Sequence, residues 1–357
     1  MKNILLIKAS NIDDVRLQKY IKVLSDKNYN LTFIGWERKK RVENDIGIEV
    51  KYLLTGFNSS KFQLLFGYVF WIFCVFFYLL FNYKKYKIIY SVDFESTFSV
   101  YVISKFFKIQ YIYDIYDEFA IRYNFPSLIK KILQKLDFKI RDKSYRTVHV
   151  DKNRVSQNDT NYMIIENSPF DFYNGNFMTP KFEKVIAVTG LMSSSRGIKE
   201  IYDFALDYSS IKFILIGEFP GYEEKLKLQL QQLDNVDLFS KMSQYEVFEK
   251  IKNCSAIMAL YNPKIEINRK AASNKLYDGM MLGIPVISNE GIEMSNFIKE
   301  KNIGLVIKYT YNKYEWQKIE NLINSPESLS MISKKSRDLY EKNFNFEMKV
   351  LELFNEI

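Results

Sequence analysis

The chain has 357 residues, too many for one ordinary core and suited to two α/β domains; its 47% hydrophobic content supplies both. The net charge is +9, and residues 1–168 hold 27 Lys and Arg against 17 Asp and Glu, whereas residues 169–357 hold 24 against 25. That asymmetry suits a first half that meets an anionic surface or substrate, and equally a Lys-rich compositional drift. Two cysteines, Cys74 and Cys254, each in an apolar run, form no metal spacing or disulfide framework, and the single histidine, His149, argues against a His-based metal site.

Met1–Ile4 runs directly into an apolar run, so no leader is expected before the fold. Strands are predicted at Ile4–Lys8, Leu31–Gly35, Gly47–Leu54, Ile88–Ser91, Tyr111–Ile115, Thr147–Val150 and Tyr162–Ile165, with helices such as Val15–Lys27, Glu95–Phe107 and Pro126–Lys143 between them. Phe62–Phe81 is twenty residues with one Gln and no charge, followed by Lys84, Lys85 and Lys87. Its length alone would span a bilayer. It lies between two strands of one alternating domain, however, so crossing would split that sheet. The expectation is a helix partly in the core with an aromatic face towards lipid and lysines towards anionic head groups.

The stretch from Glu166 to Pro180 is rich in Asn, Pro, Gly and aromatics and reads as a linker. The pattern then restarts. Strands are expected at Lys184–Thr189, Lys212–Ile216, Val236–Phe239, Ala256–Leu260, Ile284–Ser288 and Gly304–Ile307. Helices are expected at Gly197–Tyr208, Tyr222–Leu233, Ser243–Lys252, Ser273–Leu282 and Glu293–Lys299, and the tail from Pro326 is helical. Strand–helix repetition predicts two parallel sheets, each covered on both faces, with ligands at the carboxyl ends of the strands. The expected divisions are a domain at 1–168, a linker at 169–182, a second domain at 183–340, and a C-terminal helix at 341–357 packing back on the first domain.

Two motifs carry chemistry. Gly190-Leu191-Met192-Ser193-Ser194-Ser195-Arg196-Gly197 follows a strand and opens a helix, so backbone N–H groups, a helix N-terminus and the Arg196 charge suit a pyrophosphate; an ordinary turn with a surface arginine is the plainer alternative. In Ser273–Ser288, Ser273 is a potential helix cap, and Lys275 sits in the first turn, where a cation opposes the helix dipole unless an anion is near. Asp278 is one turn from Asn274 and Lys275, so the three share a face; a Lys275–Asp278 surface ion pair is the competing explanation.

The run Asn274-Lys275-Leu276-Tyr277-Asp278, ending in Gly283-Ile284-Pro285-Val286-Ile287, resembles the signature helix of glycosyltransferase family four (the "glycosyl transferases group 1" superfamily) in its Asn-Lys-Leu-Phe-Glu variant. Gly190 to Ile201 is similar to that family's donor loop. Phe213-Ile214-Leu215-Ile216-Gly217-Glu218 is similar to its Leu-Ile-Gly-x-Gly strand end, and Tyr113–Phe119 and Ile164–Pro169 are similar to its first-domain acidic stretch and its linker. The resemblance implies the GT-B fold, two Rossmann-like doubly wound domains facing a cleft, and a retaining transferase that needs no metal or other cofactor. Its donor would be a UDP- or GDP-linked sugar held by the second domain, and its acceptor would be presented by the first.

By resemblance, Gly190, Arg196, Gly217, Glu218, Asn274, Lys275 and Asp278 hold the donor, with Arg196 and Lys275 stabilising the departing diphosphate. Asp278 is one methylene shorter than the usual glutamate. Lys270 stands where many members carry a second glutamate, eight positions earlier, and would meet phosphates or a sugar carboxylate. Tyr116 replaces the usual first-domain histidine, leaving Asp114, Asp117 or Glu118 to orient the acceptor, with Asp117 the expected catalytic acid–base group; helix capping is the plainer role for these acids. Asp13 and Arg16, at a strand–helix turn, are further acceptor candidates, and His149 reads as a strand residue. The expected partners are a lipid-linked glycan in capsule or O-antigen synthesis and the cytoplasmic face of a membrane, held peripherally. A soluble transferase and a silent scaffold remain the alternatives, and no nucleic-acid module accompanies the charge.

Overall fold

The computed structural model describes residues 2–38, 47–57, 61–123, 125–157, 159–269 and 273–355. Lys270 and most of the basic run 38–41 therefore lie outside the described residues. Two compact units emerge: 1–166 with 347–357, and 167–346.

The first unit is a seven-stranded parallel sheet in the order β3-β2-β1-β4-β5-β6-β7. Its strands are β1 (Asn3–Lys8), β2 (Asn30–Glu37), β3 (Glu49–Thr55), β4 (Ile88–Val92), β5 (Gln110–Ile115), β6 (Arg146–His149) and β7 (Tyr162–Ile164). The central strands are buried almost throughout, as parallel strands covered on both faces must be. Its helices are α1 (Val15–Asp26), α2 (Lys61–Asn82), α3 (Asp93–Ser104), α4 (Phe119–Arg122) and α5 (Ser127–Lys143). One core beneath α2, α3 and α5 gathers Trp36, Tyr68, Trp71, Val75, Leu79, Val100, Tyr111 and Ile140.

The second unit is a six-stranded parallel sheet in the order β10-β9-β8-β11-β12-β13. Its strands are β8 (Glu183–Leu191), β9 (Lys212–Glu218), β10 (Val236–Phe239), β11 (Cys254–Ala259), β12 (Val286–Asn289) and β13 (Gly304–Ile307). Its helices are α6 (Ile198–Asp207), α7 (Glu224–Leu230), α8 (Gln244–Ile251), α9 (Glu266–Arg269), α10 (Asn274–Leu282), α11 (Glu293–Lys301), α12 (Lys313–Ile323) and α13 (Pro326–Leu339). Separate apolar clusters cover the two sheet faces, one around Met280, Met281 and Ile298, the other around Phe204, Phe213 and Trp316.

Strand order reverses between β1 and β4 in the first sheet and between β8 and β11 in the second, and those switch points open a crevice at the carboxyl ends of the strands. The stretch read as a linker instead packs within the second unit. Asp171 accepts 2.8 and 2.7 Å bonds from Arg337, and Phe172 and Tyr173 lie against the α10 core. The final helix α14 (Phe346–Asn355) belongs to the first unit from Glu347 onward, where Phe354 packs 6.2 Å from Tyr90. Residues 341–346 stay with the second unit, so the predicted break at 341 falls a few residues early.

Candidate functional site

In the second unit the two chemistry-bearing segments meet at the β8/β11 switch point. β8 ends in Gly190 (φ 94°), and a short 3-10 turn at Ser194–Arg196 leads through Gly197 (φ 72°) into α6. Gly197 must be small and left-handed, because a Cβ there would sit 2.8 Å from that of Leu260. Gly217 pairs with Gly190 across β8 and β9, and a Cβ on Gly217 would lie 1.7 Å from the Gly190 carbonyl oxygen. Only glycine permits this approach.

Opposite the loop stands α10, nine residues long and ended by the left-handed Gly283. Ser273 occupies its N-cap position, yet its side chain makes no capping bond and accepts the Tyr261 hydroxyl at 2.8 Å instead. Tyr261 organises the cations: the Arg196 guanidinium lies 4.6 Å and the Lys275 ammonium 5.9 Å from its ring centroid. A Cβ on Gly190 would be 3.7 Å from Lys275 Nζ, and Thr189, Met192, Arg196, Leu260 and Lys275 line one small depression. Gly190, Arg196 and Lys275 are therefore neighbours, as their separate motifs suggested. Two cations beside a glycine-bearing loop and helix N-termini give a local setting that favours an anion. Asn274 is exposed in the first turn of α10, and Asp278 is half-buried one turn on. Glu218 is exposed and 3.7 Å from Lys241.

Four residues that pin this loop were invisible in the sequence. Glu223, buried before α7, accepts the Ser194 N–H at 2.6 Å and also the Ser194 hydroxyl. The Ser194 carbonyl accepts the Tyr309 hydroxyl at 2.7 Å. The Ser195 carbonyl accepts the backbone N–H of Asn262 at 3.0 Å and the Asn268 side-chain amide at 3.2 Å. The loop is held before any ligand arrives, which is what electrostatic stabilisation of a leaving group requires.

In the first unit, Asp114 and Arg16 are not presented to solvent. Asp114 is fully buried and accepts from Arg16 Nε at 3.2 Å and from the Tyr90 hydroxyl at 2.5 Å; Arg16 also reaches the Tyr20 hydroxyl and the Glu166 carbonyl. This is a satisfied internal network at the end of β5. Asp13 is exposed, while its neighbour Asp14 caps α1 by accepting the Leu17 N–H at 2.9 Å and pairs with Lys8 at 2.5 Å. Tyr116 lies beneath Lys8, whose ammonium is 4.0 Å from its ring centroid. Asp117 is largely exposed, 3.3 Å from Arg154 and 3.8 Å from Arg122, and Glu118 is 3.7 Å from Arg141. His149 is buried at the end of β6, 3.2 Å from Asp159.

The sequence reading also missed Asp93 and Glu95, at the β4 side of the first switch point. Asp93 has φ 59°, and its carboxylate accepts the N–H groups of Tyr116 at 2.8 Å and Asp117 at 3.1 Å as well as Arg122 at 2.8 Å. It thereby clamps the loop that carries Asp117. Glu95 bonds Arg122 at 3.2 Å through one oxygen, and its other oxygen is buried with no hydrogen-bond partner among the described residues. Burial, and then the nearby Asp93 charge, push the Glu95 carboxyl up to about 7.

No family model matches the chain, and no curated protein sequence matches it. Solved structures do. A glycosyltransferase from Rickettsia africae is 13% identical over 99% of this chain and 98% of its own, with a TM-score of 0.72. The Anabaena protein HepE, solved in complex with UDP, is 11% identical over 100% and 99%, with a TM-score of 0.65. A UDP-GlcNAc 2-epimerase from Methanocaldococcus jannaschii is 11% identical over 100% of both chains, with a TM-score of 0.58. The fold is thus the two-unit α/β architecture known as GT-B. A shared fold does not name the reaction.

Proposed function

We propose that this chain is a glycosyltransferase that moves a sugar from a UDP- or GDP-linked donor to a lipid-linked glycan during surface polysaccharide (capsule or O-antigen) synthesis. The observation that carries the reading is the convergence of Gly190, Arg196 and Lys275 around Tyr261, on a loop pinned by Glu223. The resemblance to the Asn-Lys-Leu-Phe-Glu variant of glycosyltransferase family four supports the same residues.

In this reading Arg196, Lys275 and the N-terminal end of α10 neutralise the diphosphate as the glycosidic bond to it breaks, and no metal is required. Gly190 and Gly217 let the donor approach the backbone. Asp278 and Glu218 take the nucleoside side and Asn274 the sugar or phosphates, and Lys270 keeps the role the resemblance implies, a cation for phosphates or a sugar carboxylate. Asp117 receives or orients the acceptor hydroxyl, with Asp13 and Glu118 as further contacts, and the anomeric configuration is retained. The buried Arg16–Asp114 pair supports the acceptor loop from behind. The enzyme works peripherally on the cytoplasmic face of a membrane.

A thermal-shift screen across UDP-, GDP- and CMP-sugars tests the reading. A ligand that binds only the folded chain raises the melting temperature, so one nucleotide class stands out. A flat screen would remove the donor site.

A further inference from the structure

Helix α2 has two apolar faces. Tyr68, Trp71, Val75 and Leu79, spaced by three and four residues, point into the core; Trp71 donates to Ser96 at 3.2 Å, and Tyr68 meets Trp36 edge-on at 5.5 Å. On the other side, Phe66, Val69, Phe70, Phe73, Phe77 and Phe81 are each more than half exposed. These six side chains present on the order of 600 Å² of apolar surface, at the upper end of the largest patches that ordinary soluble monomers expose.

Helix α5 extends the same side of the unit. Its Leu133, Leu136 and Ile140 join the core that α2 covers, while Leu128, Ile129 and Ile132 are exposed in its first turns. Exposed Lys131, Lys135 and Lys139 follow along its outer side. The N-terminal end of α2 connects to the start of α5 through aromatics: the Tyr68 and Tyr123 hydroxyls are 2.8 Å apart, and the Tyr123 and Phe125 rings are 5.8 Å apart. At the other end of α2, Tyr83 stacks on Phe107 at 4.4 Å, beside exposed Phe106, Lys105 and Lys108, and Lys84 and Lys85 are exposed there too.

We infer that the outer face of α2 and the first half of α5 form one docking surface for a bilayer containing anionic lipid, with α2 lying in the plane of the interface. An apolar stripe with lysines at both ends matches acyl chains below and negative head groups around them. Spanning is excluded by connectivity: β3 before α2 and β4 after it belong to one sheet, and the inner face of α2 is already committed to that sheet. The α5 contact is new relative to the sequence, where only α2 stands out by hydropathy. The surface gives the proposed lipid-linked acceptor a plane to be drawn from, but it rests on the first unit alone, so its failure and that of the donor site are separable.

The test is co-sedimentation of the full chain with vesicles of phosphatidylcholine, with and without phosphatidylglycerol, comparing wild type, Phe73→Glu/Phe77→Glu and Leu128→Glu/Ile132→Glu. All four positions are exposed, so melting temperatures should hold and certify folding. Binding to the anionic vesicles, weakened by salt and reduced about tenfold or more by either double variant, is the expected result. Wild type left in the supernatant overturns the proposal. Wild-type binding by Leu128→Glu/Ile132→Glu overturns the two-helix footprint. A dimer in sedimentation velocity that Phe73→Glu/Phe77→Glu dissociates, without vesicle binding, assigns the face to a second copy and also overturns it.

Discussion

At the scale of single residues, the meeting of Arg196 and Lys275 was legible and the supports of their loop were not. Arg196 and Lys275 sit in short motifs whose local logic, an anion site at a turn and a cation in a helix first turn, needs no tertiary information. Glu223, Asn268 and Tyr309 act on residues 29, 73 and 115 positions away, and no local pattern encodes such contacts. Arg196→Ala should lower turnover about 100-fold, the usual cost of removing one leaving-group stabiliser, with folding unaffected; steady-state kinetics reading an unchanged kcat would take Arg196 out of the site. The acids after β5 show the opposite error. Asp114 reads in the sequence as an acid that orients the acceptor or caps a helix, but it lies within β5, a strand buried on both sides, where a carboxylate must be paired, and Arg16 pairs it.

Glu95 gives a pH dependence with an unusual sign. Its folded carboxyl, raised to about 7, lies above the ordinary glutamate value near 4.5 that the unfolded chain would show. Between those values the folded state holds more protons, so this stability is fully present below the lower value and is lost as pH rises through about 7. Asp93 is raised too and acts in the same direction. The melting temperature should therefore fall from pH 5 to pH 8, and Glu95→Gln should flatten that fall. An equal slope in the variant would show that Glu95 is not the titrating group.

At the scale of elements, strands and long apolar or periodic helices were legible and the shortest helices were not. The apolar stretch Phe62–Phe81 became α2, and each predicted strand was recovered to within a few residues. The four-residue helices α4 and α9 carry too few positions to establish a period, and the eleven-residue α12, whose apolar positions are interrupted by charge, was also missed. The aromatic linker was misjudged because Asn, Pro and Gly mark irregular backbone, not loose backbone; its Phe and Tyr side chains bury against α10. The sheet edge at the Gly190–Gly197 loop makes its own prediction. Gly217→Ala places a methyl group inside the van der Waals shell of the Gly190 carbonyl, so β8 and β9 must part at the site. Denaturant unfolding should show a loss of about 2–4 kcal/mol, together with a lost nucleotide thermal shift. A variant as stable as wild type would mean that the strand ends are not so close.

At the scale of the whole molecule, two restarting strand–helix patterns were enough to give two doubly wound units, and the excess of positive over negative charge falls in the unit that carries the exposed face of α2. The C-terminal helix was expected to pack back on the first domain, and α14 joins the first unit from Glu347 onward, although nothing in its own amphipathic pattern names the surface it covers. The proposed activity requires the second unit to bind a nucleotide diphosphate between the Gly190–Gly197 loop and the start of α10. Amide hydrogen exchange of the full chain, with and without the nucleotide diphosphate chosen by the thermal screen, tests it most directly. Slowed exchange in peptides covering 190–197 and 273–278 is the expected result. Ligand-dependent protection that leaves both segments unchanged would contradict it.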